Sequence, residues 1–266
     1  MTTLSAVAPE MRALIGERLD AIEREHDIRV LLAVESGSRA WGFPSPDSDY
    51  DVRFVYVHRL EWYLSVERRR DVIEYPLMDE LDVAGWELRK ALNLLLKPNP
   101  VLLEWLHSPI VYRADAEAMA RLATLAERTA FQRPSTWHYL HLAESQYRRF
   151  LHGRAEVPLK KYFYVLRPAL ALRWLRLNPG RPVPVALSEL RAAVPMPSAV
   201  TMFLDDLLAR KAVAKELGSS PRIPELDALI DTELESARPH SAAVIQPADL
   251  LDDANALFRE LVVAGS

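Results

Sequence analysis

The chain contains no cysteine among its 266 residues. That absence excludes disulfides and thiolate metal centres. No run of about eighteen apolar residues occurs, which argues against a membrane-spanning helix. The first thirty residues also lack a signal-peptide core, because Ala13-Leu14-Ile15 is soon followed by Glu17, Arg18 and Asp20. A cytoplasmic location is the expectation. The sequence has no Gly-x4-Gly-Lys-Ser/Thr loop, no Gly-x-Gly-x-x-Gly after a strand and no Gly-x-Ser-x-Gly. P-loop, Rossmann and nucleophile-elbow readings therefore fail.

What is present is the composition of a globular protein, 50% hydrophobic and 26% charged, long enough for one domain or two. The net charge of -4 conceals an asymmetry. Residues 1–113 hold 14 Lys and Arg against 19 Asp and Glu, residues 121–216 hold 16 against 7, and residues 217–266 hold 3 against 9. An acidic segment followed by a basic one suits a metal–polyphosphate substrate gripped from two sides. A basic solvent face on one half explains the same numbers equally well.

Hydrophobic periodicity predicts a helix over 9–26, a short buried strand over 29–35, a short helix over 38–42 and an alternating strand over 49–57. One or two further strands fall within 71–84. Gly85 is expected to open a helix to about Leu96, and Asn99-Pro100 to cap a second one ending near His107. Ser108–Tyr112 is a short extended piece. Strands thus cluster before residue 113, and helices are expected at 114–129, 135–152, 158–177, 187–193, 198–217, 223–236 and 247–263. The fold class is α+β: a small α/β domain with a mixed sheet at 1–113, then a mostly helical domain at 114–266.

Gly37-Ser38 lies between the first two strands, and Asp49-Tyr50-Asp51 opens the second. Two carboxylates two positions apart on a strand project from one face. They repel unless a cation sits between them, and a hard divalent ion with oxygen ligands relieves that cost. A Gly-Ser turn offers backbone N–H groups and a hydroxyl to a phosphate. Together these suggest metal-dependent chemistry on a nucleoside triphosphate, for which a third carboxylate would help activate the nucleophile. Asp82, flanked by Leu81 and Val83, is the best candidate, with Asp79, Glu80 and Glu74 competing.

Gly37-Ser38, ten residues, then Asp49-Tyr50-Asp51-Val52 resembles the signature of the DNA polymerase beta nucleotidyltransferase superfamily. The longer strings Gly37-Ser-Arg-Ala-Trp-Gly-Phe43 and Ser48-Asp-Tyr-Asp-Val-Arg53 are similar to a branch associated with RNA repair and RNA ligases. Gly85-Trp86, Asn99-Pro100, Glu104-Trp105-Leu106, Ser108-Pro109 and Lys160-Lys161-Tyr162…Leu166-Arg167-Pro168 extend the likeness over roughly residues 30–180. Ser36 departs from it, since an apolar residue often precedes the Gly-Ser pair.

The resemblance implies transfer of a nucleoside monophosphate from a nucleoside triphosphate, such as ATP, to a hydroxyl, with two Mg²⁺ ions (Mn²⁺ as the alternative). Asp49 and Asp51 are the implied bridging metal ligands, Asp82 the third acid, and Gly37 and Ser38 the triphosphate contacts. The preferred acceptor is an RNA 3′ end. Nucleotidylation of a protein hydroxyl, as in antitoxin-like members, is the alternative within the class, and a non-catalytic nucleotide- or RNA-binding protein the alternative outside it.

Other residues carry two readings each. Arg39 follows the turn and either reaches a phosphate or occupies an exposed helix position. Arg53 shares the aspartates' face and pairs with one of them, tuning the site or balancing charge. Lys160, Tyr164 and Arg167 lie at i, i+4, i+7 on one helix face. There a lysine would reach the β/γ-phosphates and Tyr164 would stack on the base, unless the face is a solvated basic stripe; Lys161 is a weaker substitute. His138 and His141 have helical metal spacing but no third ligand. Trp86, Trp105, Trp137 and Trp174 are expected in the core.

Overall fold

Pro9 starts the first helix, α1 (Pro9–His26), whose Ile15, Leu19 and Ile22 recur on one buried face. Asp27, in the left-handed region at φ 48°, ends it and turns the chain into strand β1 (Ile28–Glu35). The computed structural model describes residues 7–78, 80–215, 217–238 and 246–264. After β1 come α2 (Gly37–Ala40), β2 (Tyr50–His58), α3 (Leu60–Tyr63), β3 (Val72–Glu74) and β4 (Leu81–Glu87). Helices α4 (Leu88–Leu96) and α5 (Pro100–Leu106) then lead to strand β5 (Val111–Ala114).

These strands form one mixed sheet in the order β3-β4-β2-β1-β5, with β2 and β4 parallel and the other neighbours antiparallel. Alternation along β2 separates two cores. Val52, Phe54 and Tyr56 pack with Ile15, Leu19 and Ile22 of α1. Val55 and Val57 point the other way, onto Leu88, Leu92 and Leu95 of α4 and Leu102 of α5. Asp51 and Arg53 belong to this second face by the same alternation, at the end where it runs out of apolar cover.

Downstream lie α6 (Ala116–Glu127), α7 (Gln132–Phe150), β6 (Glu156–Pro158), α8 (Leu159–Leu177), α9 (Leu187–Ala193), α10 (Ser198–Val213), β7 (Ser219–Pro221), α11 (Pro224–Ser236) and α12 (Leu250–Val263). A separate core joins Tyr139 of α7, Phe163 and Leu170 of α8, Leu204 of α10 and Ile230 of α11, and it takes in Phe43 from the α2–β2 loop. Among the described residues no helix is long and apolar enough to cross a membrane.

The structure departs from the sequence expectations at four places. Gly85 does not open a helix: Gly85-Trp86-Glu87 completes β4, and buried Glu87 caps α4 by accepting from the amides of Arg89 and Lys90 at 2.8 and 3.3 Å. A Cβ at Gly85 would fall 2.3 Å from the Phe54 ring, so the glycine serves close packing across the sheet. Strands are not confined to residues before 113, because β6 and β7 pair with each other in the helical half. Trp137 is 39% exposed and stacks on His141 instead of joining the core.

The fourth difference concerns packing across residue 113. Leu122 and Leu125 of α6, with Leu257 and Leu261 of α12, pack into the sheet's second core beside Val55 and Leu92. Arg29 of β1 clamps both helices, donating to Asp115 Oδ2 at 2.6 Å and to the Leu261 carbonyl at 3.1 Å. The sheet therefore draws two of its covering helices from beyond residue 113.

Candidate active site

Parallel pairing of β2 and β4 sets Asp51 directly beside Asp82. Asp49, exposed, lies just before β2 and near enough for its charge to act on Asp51. Glu74 is on β3, exposed and ion-paired with Arg70, and Glu80 is exposed in the turn before β4 at φ 69°. Asp79 lies outside the described residues.

Gly37, at φ 61°, lies directly over the second aspartate: a Cβ there would sit 2.0 Å from Asp51 Oδ2. Only a residue without a side chain permits that approach in that conformation. The next contact fixes the strand behind it, as the Ser36 amide donates to the Asp51 carbonyl at 2.8 Å. The Asp51 amide donates to Glu35 Oε1 at 3.0 Å, and the Tyr112 hydroxyl donates to Glu35 Oε2.

Glu35 is fully buried, and burial pushes its carboxyl up to about 7 against the pull of the Tyr112 and Asp51 bonds. Asp51 is also raised, chiefly by burial. Arg53 opposes the shift, while Asp82 and Asp49 add to it.

Arg53 stands between the carboxylates. Its Nη2 donates to Asp82 Oδ2 at 2.7 Å and to Asp51 Oδ1 at 3.3 Å, while Nη1 donates to the carbonyls of Asp82 and Val52 at 2.8 and 3.1 Å. It pairs with both acids, not with one.

The remaining candidates divide. Ser38 Oγ donates to Ser48 Oγ at 3.1 Å, tying the turn to the loop before β2. Arg39 is buried; it donates to the Ser48 and Asp49 carbonyls at 2.6 and 3.1 Å and lies 3.7 Å from the Tyr50 ring centre. Its guanidinium braces the loop that carries Asp49. On α8, Lys160 Nζ is 3.7 Å from Asp47 in that same loop. Tyr164 faces outward, beside Lys161 and Phe150. Arg167 is buried instead, donating to Glu104 Oε1 at 3.0 Å and to the Val185 carbonyl at 3.2 Å, with its guanidinium over Trp41. The helix face is thus shared among a loop contact, a surface ring and a buried ion pair.

Two residues near the site carry weight that sequence reading missed. Glu35 ends an apolar strand run, and a lone acid after Val30-Leu-Leu-Ala-Val34 was the available signal. Lys211 follows buried Leu204 and Leu207 at helical spacing and is itself 3% exposed. It donates to the Phe43 carbonyl at 2.6 Å, and burial lowers its pKa to about 8, with Lys160 adding to the effect.

Asp49, Asp51 and Asp82 offer carboxylate oxygen alone, which suits a hard divalent cation. The positive group already set between Asp51 and Asp82 marks that spot as one where charge is wanted. Among the described residues no three acidic or histidine side chains converge into a ready metal cage. His138 meets Tyr139 edge-on, and His141 lies against Trp137.

The sequence matches the RNA repair pathway DNA polymerase beta family over residues 11–260. It is 44% identical over 228 residues to the uncharacterized protein YcgL of Bacillus subtilis (strain 168), covering 85% of this chain and 86% of that one. A crystal structure of a nucleotidyltransferase-like protein from Exiguobacterium sibiricum 255-15 is similar at 15% identity, with 94% of this chain and 77% of that one covered and a TM-score of 0.28.

Proposed function

This chain belongs to the RNA repair pathway DNA polymerase beta family and is a nucleotidyltransferase, and we propose from that premise that it adds a nucleoside monophosphate to an RNA 3′ hydroxyl. The observation that carries the reading is the in-register pair Asp51 and Asp82, with Asp49 close enough to act on Asp51 and Gly37 against Asp51. The family's link to RNA repair and the basic stretch 121–216 support the RNA acceptor.

In this reading the acceptor oxygen attacks the α-phosphorus, the bond to the bridging oxygen of the β-phosphate breaks, and pyrophosphate leaves. Asp49, Asp51 and Asp82 would hold Mg²⁺, which lowers the pKa of the attacking hydroxyl and neutralises the leaving pyrophosphate. Asp82 takes up the acceptor's proton. The Gly37 and Ser38 turn presents its amides to the triphosphate, and Lys160 closes on the β/γ-phosphates from α8. Glu35 positions Asp51 through its backbone amide.

The test is incubation with each labelled triphosphate, Mg²⁺ and a panel of RNA ends, beside protein extract. Label on RNA 3′ ends and pyrophosphate release are expected, with Asp51→Ala losing at least about 1,000-fold in rate while remaining folded. Wild-type rates in Asp51→Ala sink the assignment. Label on protein replaces the RNA acceptor by a protein hydroxyl, and no metal-dependent pyrophosphate release with any acceptor leaves a binding protein.

A further inference from the structure

Asp51 and Asp82, in register on β2 and β4, repel, Asp49 adds to the repulsion at Asp51, and the free protein must hold them without substrate. Several cations lie close by, but their bonds go elsewhere. Arg39 is held by two carbonyls and the Tyr50 ring, Lys160 faces Asp47, and Lys211 is bonded to the Phe43 carbonyl. Arg53 is the basic side chain that contacts Asp51 and Asp82 among the described residues.

Its two nitrogens have separate partners. Nη1 rests on backbone carbonyls, one of them from Asp82 itself, and Nη2 bridges the two side chains. Nη2 can therefore let go while Nη1 keeps the guanidinium at the site. The pairing also bears on the proton acceptor, because Asp82 Oδ2, 2.7 Å from Nη2, cannot accept a proton freely while bonded to a guanidinium.

We propose that Arg53 is a built-in counter-ion that selects a metal arriving with its nucleotide over the free metal: it bridges Asp51 and Asp82 in the empty enzyme and releases them when a divalent cation enters together with a triphosphate. A free cation has to displace the guanidinium with no other gain. A metal–nucleotide complex also gains the triphosphate contacts of the Gly37 and Ser38 turn, and it supplies phosphate oxygens that the released Nη2 can bond. Affinity for metal alone is then reduced by the fraction of molecules in which the bridge is closed. The inference rests on the nucleotidyltransfer reading above and adds that metal and nucleotide bind cooperatively through one arginine.

The experiment is Mn²⁺ binding to the full chain, followed by electron paramagnetic resonance with and without a non-hydrolysable triphosphate, in wild type, Arg53→Gln and Arg53→Lys. Without nucleotide, Arg53→Gln is expected to bind Mn²⁺ about tenfold tighter than wild type, with Arg53→Lys between them, since one ammonium cannot hold both carboxylates and both carbonyls. With nucleotide the difference should shrink to under about threefold. Thermal melting supplies an independent readout: Arg53→Gln melts lower than wild type in chelator and gains more on adding millimolar Mg²⁺. If Arg53→Gln does not fold, Arg53→Lys carries the comparison. Equal or weaker nucleotide-free Mn²⁺ binding in the variants overturns the proposal and leaves the transferase reading standing. Absence of Mn²⁺ binding in wild type even with nucleotide overturns both.

Discussion

Glu35 sits sealed behind the second aspartate, with its carboxyl held near 7, above the ordinary 4.5. The folded chain keeps a proton that the unfolded chain releases between those two values. Its stabilising contribution is whole below pH 4.5, declines as pH rises to about 7, and is level beyond. A shift of that size corresponds to at most about 3 kcal/mol. Glu35→Gln keeps the size and an acceptor for the Asp51 amide, so it should flatten most of this decline. Urea unfolding from pH 4.5 to 8 measures it; a variant retaining the wild-type slope would show that Glu35 is not its source. Asp51, raised in the same sense, leaves a residual slope. At this scale Gly37, Asp49 and Asp51 were legible because their relation is local: a turn, a short spacer and a period of two. Glu35 and Lys211 were not, since their partners lie 16 and 168 positions away.

Among the elements, α8 shows what periodicity can and cannot deliver. Helical spacing put Lys160, Tyr164 and Arg167 on one face, but a shared face does not name a partner. Only contacts across the fold assign Arg167 to Glu104, which also receives the Tyr139 hydroxyl at 2.6 Å and the Trp41 indole N–H at 3.3 Å. Removing the arginine leaves a half-buried carboxyl group facing neutral donors alone. Arg167→Met should therefore cost about 3–5 kcal/mol in denaturant unfolding, and adding Glu104→Gln should restore part of it. A loss under about 1 kcal/mol would mean that the pair carries no stability. The helix expected at Gly85 was misread for a related reason. Gly85 disfavours a helix interior but is tolerated at a helix start, so the tripeptide alone does not decide, and its strand identity comes from pairing with Phe54–Tyr56 on β2. The β6 and β7 strands, three residues each and carrying Pro158 and Pro221, fall below any periodicity that a sequence can display.

For the molecule as a whole, charge counted by segment hid an architectural link. The acidic tail includes Asp249, Asp253 and Glu260, which pair with Arg128 and Arg121 beside and within α6. These pairs line α12 up on the sheet, where Leu250, Ala254, Leu257, Leu261 and Val262 are buried. Each fully buried leucine contributes about 1.5–3 kcal/mol, against a typical total stability of about 5–15. A fragment of residues 1–113 would expose the sheet face that α6 and α12 cover. It should show no cooperative thermal transition in near-ultraviolet circular dichroism, where the full chain does. A cooperative, native-like melt of the fragment would make the five-stranded sheet independent of its later helices. The mixed α+β character was readable from strands giving way to helices, whereas the return of the last helix to the first core was not.

The loop after the Gly37 turn is clasped by the helical half: the Leu187 amide bonds the Trp41 carbonyl at 2.8 Å, Phe43 stacks on Phe163 at 5.0 Å, and Lys211 holds the Phe43 carbonyl. Gly37 meanwhile rests on Asp51. One short peptide is therefore held by the core of α8 and α10 at one end and set against Asp51 at the other. A substitution that slides α8 or α10 by a fraction of an ångström is passed through that peptide to the Gly37 turn and so to Asp51, which makes the setting of this acid depend on residues far from it in the chain.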